Sequence, residues 1–310
     1  MSTRSALALA ASSLLFLTAC GGADNLSPFI AAANLSEDDA AAPDPGDVID
    51  GVPEVLANNL SAITFNAAEN SWDVTLTSLD AGTEAGTYNA TPALDTNGFL
   101  AYTIQETSLQ RHFTLLISES ADAAIRAGTV SDGGQFNRFF AGTFYARTGD
   151  YQPGTGLATY TGNYAGLTNI EGDDPGILLT PPPGTDPLDL PEQAGRVSGT
   201  VLMNVDFVDN AINGAIRERV IIRSGGPDFA LEDIVLVISD IDDEGQFFGG
   251  AELEDQTGVG DYGGIIGGTN GQFIGGSTKL QDYIETIDNE EEYGVFVLES
   301  CVTSGDPACP

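Results

Sequence analysis

Between about residue 51 and residue 300 the chain alternates apolar and polar positions in short runs rich in Val, Ile, Thr, Tyr and Phe, broken by glycine clusters and by Asn-Gly and Asp-Gly pairs. A period of two closed by turn residues predicts strands, and no long stretch carries the 3.6-residue period of an amphipathic helix. Thr200–Phe207 shows the pattern plainly. Val201, Met203, Val205 and Phe207 share one face, and Thr200, Asn204 and Asp206 share the other, as in a strand buried on one side. Asp209-Asn210 then forms a tight turn, and Ala211–Arg223 returns with Ile212, Ile216, Val220 and Ile222 in phase, so the two segments predict a hairpin.

Eight strands are expected from residue 136 onward, at about 136–147, 156–166, 196–207, 211–223, 231–239, 245–254, 261–275 and 292–299. The 38 glycines favour the curvature a sheet needs to close, and closure hides the edges that otherwise promote aggregation. The fold class expected is all-β, an eight-stranded antiparallel β-barrel with an interior filled by side chains, preceded by a smaller β-sheet domain. Ala62–Phe65, Trp72–Ser78, Phe99–Gln105, Phe113–Ser118 and Ala124–Val130 supply strands of that first sheet. The tyrosines Tyr145, Tyr151, Tyr160 and Tyr164, with Phe139 and Phe140, read as core or girdle residues. Pro181-Pro182-Pro183 bars residues 173–193 from a central strand, because proline donates no ladder hydrogen bond. That segment is a long excursion of the kind that often carries function.

The N-terminus has a different pattern. Arg4 precedes an apolar run from Ala6 to Phe16, the length of a signal-peptide core and too short to span a bilayer. Leu17-Thr18-Ala19-Cys20 follows and resembles a bacterial lipobox, which implies cleavage before Cys20 and acylation of that residue. Several acyl chains on one cysteine hold a protein to a bilayer without a transmembrane element. Gly21 in place of Asp implies the outer membrane in a Gram-negative source. Residues 20–50, rich in Ala, Asp, Pro and Gly, read as a disordered acidic tether. The organisation expected is therefore a signal at 1–19, a tether at 20–50, a β-rich domain at 51–133, a barrel at 134–300 and a tail at 301–310.

Charge narrows the function. With 46 acidic and 10 basic residues the formal net charge is −36, and Lys279 is the only lysine. Such a chain repels phosphate backbones, which excludes nucleic acid as a partner. The charge fits solubility in a salty exterior better than steering of a cationic partner. Cys301 and Cys309 in an exported protein are expected to pair and close the tail. The sole histidine, His112, is expected at a surface or turn position, and no Gly-x-Ser-x-Gly elbow accompanies it, so no catalytic residue is assigned. Asp240, Asp242, Asp243, Glu244 and Gly245 begin like a calcium loop, but Ala251 stands where the closing bidentate Glu belongs. They are read as an acidic hairpin turn and candidate ligand contact, with no metal and no cofactor expected. Asp288-Asn289-Glu290-Glu291-Glu292 reads as a second, solvated acidic turn.

Three elements carry a family resemblance. Gly156–Gly166 has the form G-x-A-x-Y-x-G, Val205-Asp206-Phe207 with Ile212-Asn213-Gly214 forms a V-D-F hairpin, and Gly271-Gln272-Phe273-Ile274-Gly275 is a late G-x-F-x-G strand. In this order, over residues 134–299, they resemble the barrel of transferrin-binding protein B-like surface lipoproteins. The usual F-Y-G-P-x-A element is replaced by Phe273–Thr278. The resemblance implies a lipid-anchored outer-membrane protein facing the exterior, one lobe rather than two. It further implies capture of an extracellular protein or small ligand beside a TonB-dependent receptor, for nutrient or metal acquisition. The alternative is a structural or protective envelope lipoprotein without a specific ligand.

Overall fold

A computed structural model describes residues 29–30, 51–78, 82–136, 138–305 and 309 of the chain. Cys20, the export signal and all of the 20–50 segment except Phe29–Ile30 lie outside the described residues. Within that segment β1 (Phe29–Ile30) pairs antiparallel with β2 (Val52–Pro53), an apolar pair inside the stretch expected to be a tether. A single turn, α1 (Glu54–Ala57), follows and buries Leu56 and Ala57.

The first sheet is an antiparallel meander of seven strands, β3 (Leu60–Asn66), β4 (Ser71–Ser78), β5 (Gly82–Ala90), β6 (Leu100–Ile104), β7 (Phe113–Glu119), β8 (Ile125–Asp132) and β9 (Ala141–Arg147). β9 corrects one expectation. The segment 136–147 was expected to open the barrel, but β9 pairs with β8 along Ile125↔Arg147 to Ser131↔Ala141 and ends the first sheet.

The barrel consists of β10 (Leu157–Glu171), β11 (Ala194–Asp206), β12 (Ala211–Ile221), β14 (Ile234–Asp240), β15 (Gln246–Glu252), β16 (Gly258–Gly267), β17 (Phe273–Gln281) and β18 (Glu291–Ser300), with a two-residue β13 (Phe229–Ala230) appended to β12. Pairing of β10 with β18 and of β11 with both β10 and β12 closes the circle. The structure is thus all-β with an eight-stranded antiparallel barrel after a smaller sheet. The eight strands are kept up by a second correction: the segment 261–275, expected to be one strand, is two, β16 and β17, joined by a turn at 268–272.

Inward-facing residues of the barrel form one core, with Tyr160, Tyr164, Val201, Met203, Val205, Ile212, Ile216, Tyr262 and Phe296 all buried. The outward faces of β10, β16, β17 and β18 are covered in turn by the first sheet, where Ile265, Phe273, Val295, Ala165 and Leu167 join Leu56, Ile125, Phe144 and Tyr145 in a second core. Glycines make that approach close. A methyl group on Gly267 or Gly275 would run into Ile125. Polar contacts fix the seam: Thr143 Oγ1 donates to Ser277 Oγ (2.8 Å), Thr129 Oγ1 to the Tyr293 carbonyl (2.8 Å), and Asn97 Nδ2 to the carbonyls of Tyr164 (3.0 Å) and Gly199 (2.6 Å).

Candidate functional site

Antiparallel connectivity sorts the barrel connections into two ends. One end has the short turns 207–210, 241–245 and 268–272, and the other has the three long connections 172–193, 222–233 and 282–290 with the short turn 253–257. At this loop end a cleft of about 1040 Å³ opens between three segments. Gly133–Phe136, Arg138 and Phe139, in the connection between β8 and β9, form one wall, Pro187, Leu188, Leu190 and Glu192 a second, and Asp288, Asn289 and Glu291 with Asn169 a third.

The first wall is held from beneath. Gln135 and Arg138 exchange backbone hydrogen bonds (3.1 Å each) across a tight turn. Buried Arg111 pairs with buried Asp132 and donates to the Gln135 and Arg138 carbonyls. Gln135 Nε2 donates onward to the carbonyls of Leu109 and Asp189, which ties the turn to the second wall. Phe136, at the tip, has φ 56° and is 60% exposed. A bulky side chain in the left-handed region is rare, and strained backbone held by rigid surroundings concentrates at functional positions. Leu188, which lines the same cleft, is 80% exposed.

The second wall is the 173–193 excursion, and it is anchored along its length. Asp174 makes a bidentate pair with Arg196 (2.7 and 2.9 Å), and Asp173 accepts from the amides of Ser224 and Gly225. The Glu192 amide donates to the Gly134 carbonyl. Burial and then the neighbouring Glu171 raise the Glu192 carboxyl above its usual range.

Beneath the loop end the barrel holds a charged cluster that sequence reasoning missed. Glu292 accepts from Tyr164 Oη (2.5 Å), from Arg219 Nη2 (2.7 Å) and from Tyr283 Oη (2.6 Å), while Tyr164 also lies 2.9 Å from Thr278 Oγ1. Arg219 stacks over the Tyr283 ring at 4.7 Å and donates to the Glu232 carbonyl. Burial, and next the Glu292 carboxylate, push both tyrosine hydroxyls well above their usual range. Arg219 points inward because of a bulge. The β11–β12 register slips between Ser198↔Val220 and Thr200↔Arg217, and Glu218 takes φ 53°. The expected phase of β12 is corrected accordingly: Ile212 and Ile216 are buried, but beyond the bulge Arg219 and Ile221 are buried while Val220 and Ile222 are only half-buried.

Asp240, Asp242, Asp243 and Glu244 stand at the turn end, away from the cleft. Asp242 Oδ1 accepts from the amides of Glu244 (3.0 Å) and Gln246 (2.7 Å), and Arg147 Nη1 donates to the Glu244 carbonyl (2.7 Å). Among the described residues no group of three or more His, Cys, Asp or Glu is placed to hold a metal ion. His112, expected at a surface or turn position, lies in the connection just before β7 but is buried there at 2% exposure, which lowers its imidazole to about 4. Cys301, at the start of α2 (Cys301–Ser304), is disulfide-bonded to Cys309. Among the described residues no helix is long and apolar enough to cross a membrane.

No protein-family model matches the chain, and no curated protein matches it. Solved structures of transferrin-binding protein B are similar to it. They include a double mutant from Haemophilus parasuis Hp5 (12% identity, TM-score 0.39), the intact Ap-TbpB with its N and C lobes (11%, 0.37) and the isotype 1 protein from serogroup B Neisseria meningitidis (13%, 0.34). Each similarity covers 77% of this chain and 52%, 54% and 51% of the respective structure, so the chain spans about half the length of the proteins it matches.

Proposed function

We propose that this chain is a lipid-anchored outer-membrane binding protein, held at the cell surface through acylated Cys20, whose loop end captures an extracellular protein ligand in nutrient or metal acquisition. The observation that carries the reading is that two exposed apolar side chains, Phe136 and Leu188, line one loop-end cleft, the first on a turn braced by a buried ion pair. Large apolar side chains held rigidly in water cost free energy that binding recovers, and aromatic anchors in braced positions are the usual hot spots of interfaces. The lipobox and export signal supply the address, and the barrel motifs supply the class of task. Delivery to a TonB-dependent receptor follows from the same resemblance. In this reading Asp240, Asp242, Asp243 and Glu244 form a second contact surface, on the side away from the cleft.

The test is display of the full chain in Gram-negative cells fed a clickable palmitate analogue. The label is expected on the wild type and not on Cys20→Ser, and external protease is expected to remove the wild-type protein from intact cells. Protection in intact cells, with digestion only after the outer membrane is breached, would overturn the surface-capture reading.

A further inference from the structure

We propose that the loop-end cleft binds a cationic polypeptide segment that inserts at least one large apolar side chain between Phe136 and Leu188. This rests on the reading of the loop end as a binding face and names the chemistry of its partner. Phe139, Pro187 and Leu190 extend the apolar lining between the two exposed anchors. At about 1040 Å³ the space is at the upper limit of small-molecule pockets and takes several side chains of a peptide.

The rim sets the sign of the partner. Glu192, Asp288 and Glu291 line the cleft against a single cation, Arg138. Of the other arginines towards this end, Arg217 is exposed on the outer face of β12 and does not line the cleft, and the rest are committed within the protein. Arg111 is paired with Asp132, Arg196 with Asp174 and Arg219 with Glu292, and Arg223 donates to the Glu171 carbonyl. Lys279 lies over the Tyr293 ring. Glu171 and Glu192 repel one another across the second wall, a repulsion that an incoming ammonium or guanidinium relieves. The net charge of −36, read above as a solubility feature, sets up no opposition to such a partner, and the selectivity comes from the rim carboxylates themselves. A bare metal ion would meet no cluster of ligands among the described residues, so a cationic side chain next to an apolar one is the occupant that satisfies both walls and rim.

The experiment measures binding of fluorescein-labelled lysine–phenylalanine, lysine–serine and glutamate–phenylalanine peptides of equal length to the full chain at ~0.15 M salt. The lysine–phenylalanine peptide is expected to bind at least about tenfold more tightly than either control. The preference is expected to vanish in Phe136→Ser/Leu188→Ser. Phe136→Gly provides a second variant whose backbone accepts the left-handed turn, so loss of binding there is not loss of fold. Equal binding of the two lysine peptides, or a preference that survives both variants, overturns the proposal. Binding of the glutamate–phenylalanine peptide that depends on Phe136 overturns the cationic preference while leaving the cleft as a binding face, and the protease test of surface display is independent of all these outcomes.

Discussion

Arg219 is the largest of the fully buried side chains, and its guanidinium sits inside the barrel with Glu292 as its counter-ion. Taking two charges out of water is costly, and the attraction between them repays that cost only when both are fully hydrogen-bonded. The carboxylate meets this condition with three donors, while the guanidinium donates through Nη1 and Nη2 and leaves its buried Nε without a partner among the described residues. Removing one partner leaves the other charge buried and uncompensated. Arg219→Met is therefore expected to destabilise the fold by about 3–5 kcal/mol, read from urea denaturation. Arg219→Met combined with Glu292→Gln is expected to recover most of that loss, because the amide oxygen still accepts from Tyr164 or Tyr283 with no charge left behind. A double variant no more stable than the single one would show that the pair is not the source of the effect. Gly294 belongs to the same device: Tyr164 crosses it so closely to reach Glu292 that any side chain there would meet the tyrosine ring.

At the scale of elements, the bulge in β12 re-aims one side chain and frees one carbonyl. Glu218 absorbs the extra residue at φ 53°, Arg219 turns into the barrel, and Gly199 opposite accepts from Asn97 of the first sheet. Left-handed backbone costs an L-residue roughly 1–2 kcal/mol, and a β-branched residue is the least tolerant of it. Glu218→Gly is expected to leave stability unchanged or raise it by up to about 1 kcal/mol, and Glu218→Val to lower it by about 1–2 kcal/mol. Similar denaturation midpoints for the two variants would show that the bulge is not held by this conformation. The bulge also explains what the sequence concealed. A period of two carried from Ile212 and Ile216 places Val220 and Ile222 inward and leaves an arginine in solvent, so the charged cluster had no local signal. The hairpin before the bulge was legible because its outer face is half in water and the alternation survives. β16, β17 and β18 lie between the barrel core and the first sheet, are buried on both faces and lose the alternation, which is why 261–275 looked like one strand. β9 pairs with β8, its neighbour in sequence, and its place was concealed because all seven of its residues are buried and no alternation marks which sheet it joins. Of the cleft, the 173–193 wall was signalled by its prolines and the wall at Asp288 and Glu291 by its carboxylates, although the run expected to be a solvated turn buries Glu290 and Glu292. The Phe136 wall carried no signal, since its strain and bracing exist only in three dimensions.

For the whole molecule, the committed arginines leave a surface of almost one sign. Repulsion among exposed carboxylates opposes compaction, and salt shortens its range from about 10 Å at 0.1 M to about 3 Å at 1 M. The thermal midpoint is expected to rise by several degrees over that interval, with NaCl and KCl acting alike, and a midpoint that falls or stays constant would show that the net charge does not limit stability. The buried pairs, shielded from solvent ions, hold through the same range. The order of strands around the barrel has a consequence for biogenesis. β18 lies between β10 and β17 and supplies Glu292, Phe296 and Val295 to both cores, so neither core is complete until residue 300 is present. On the proposed export through a secretion channel, N-terminus first, the chain would stay unlocked until its final strand is delivered, and the strand that completes the barrel would time folding to the far side of the membrane.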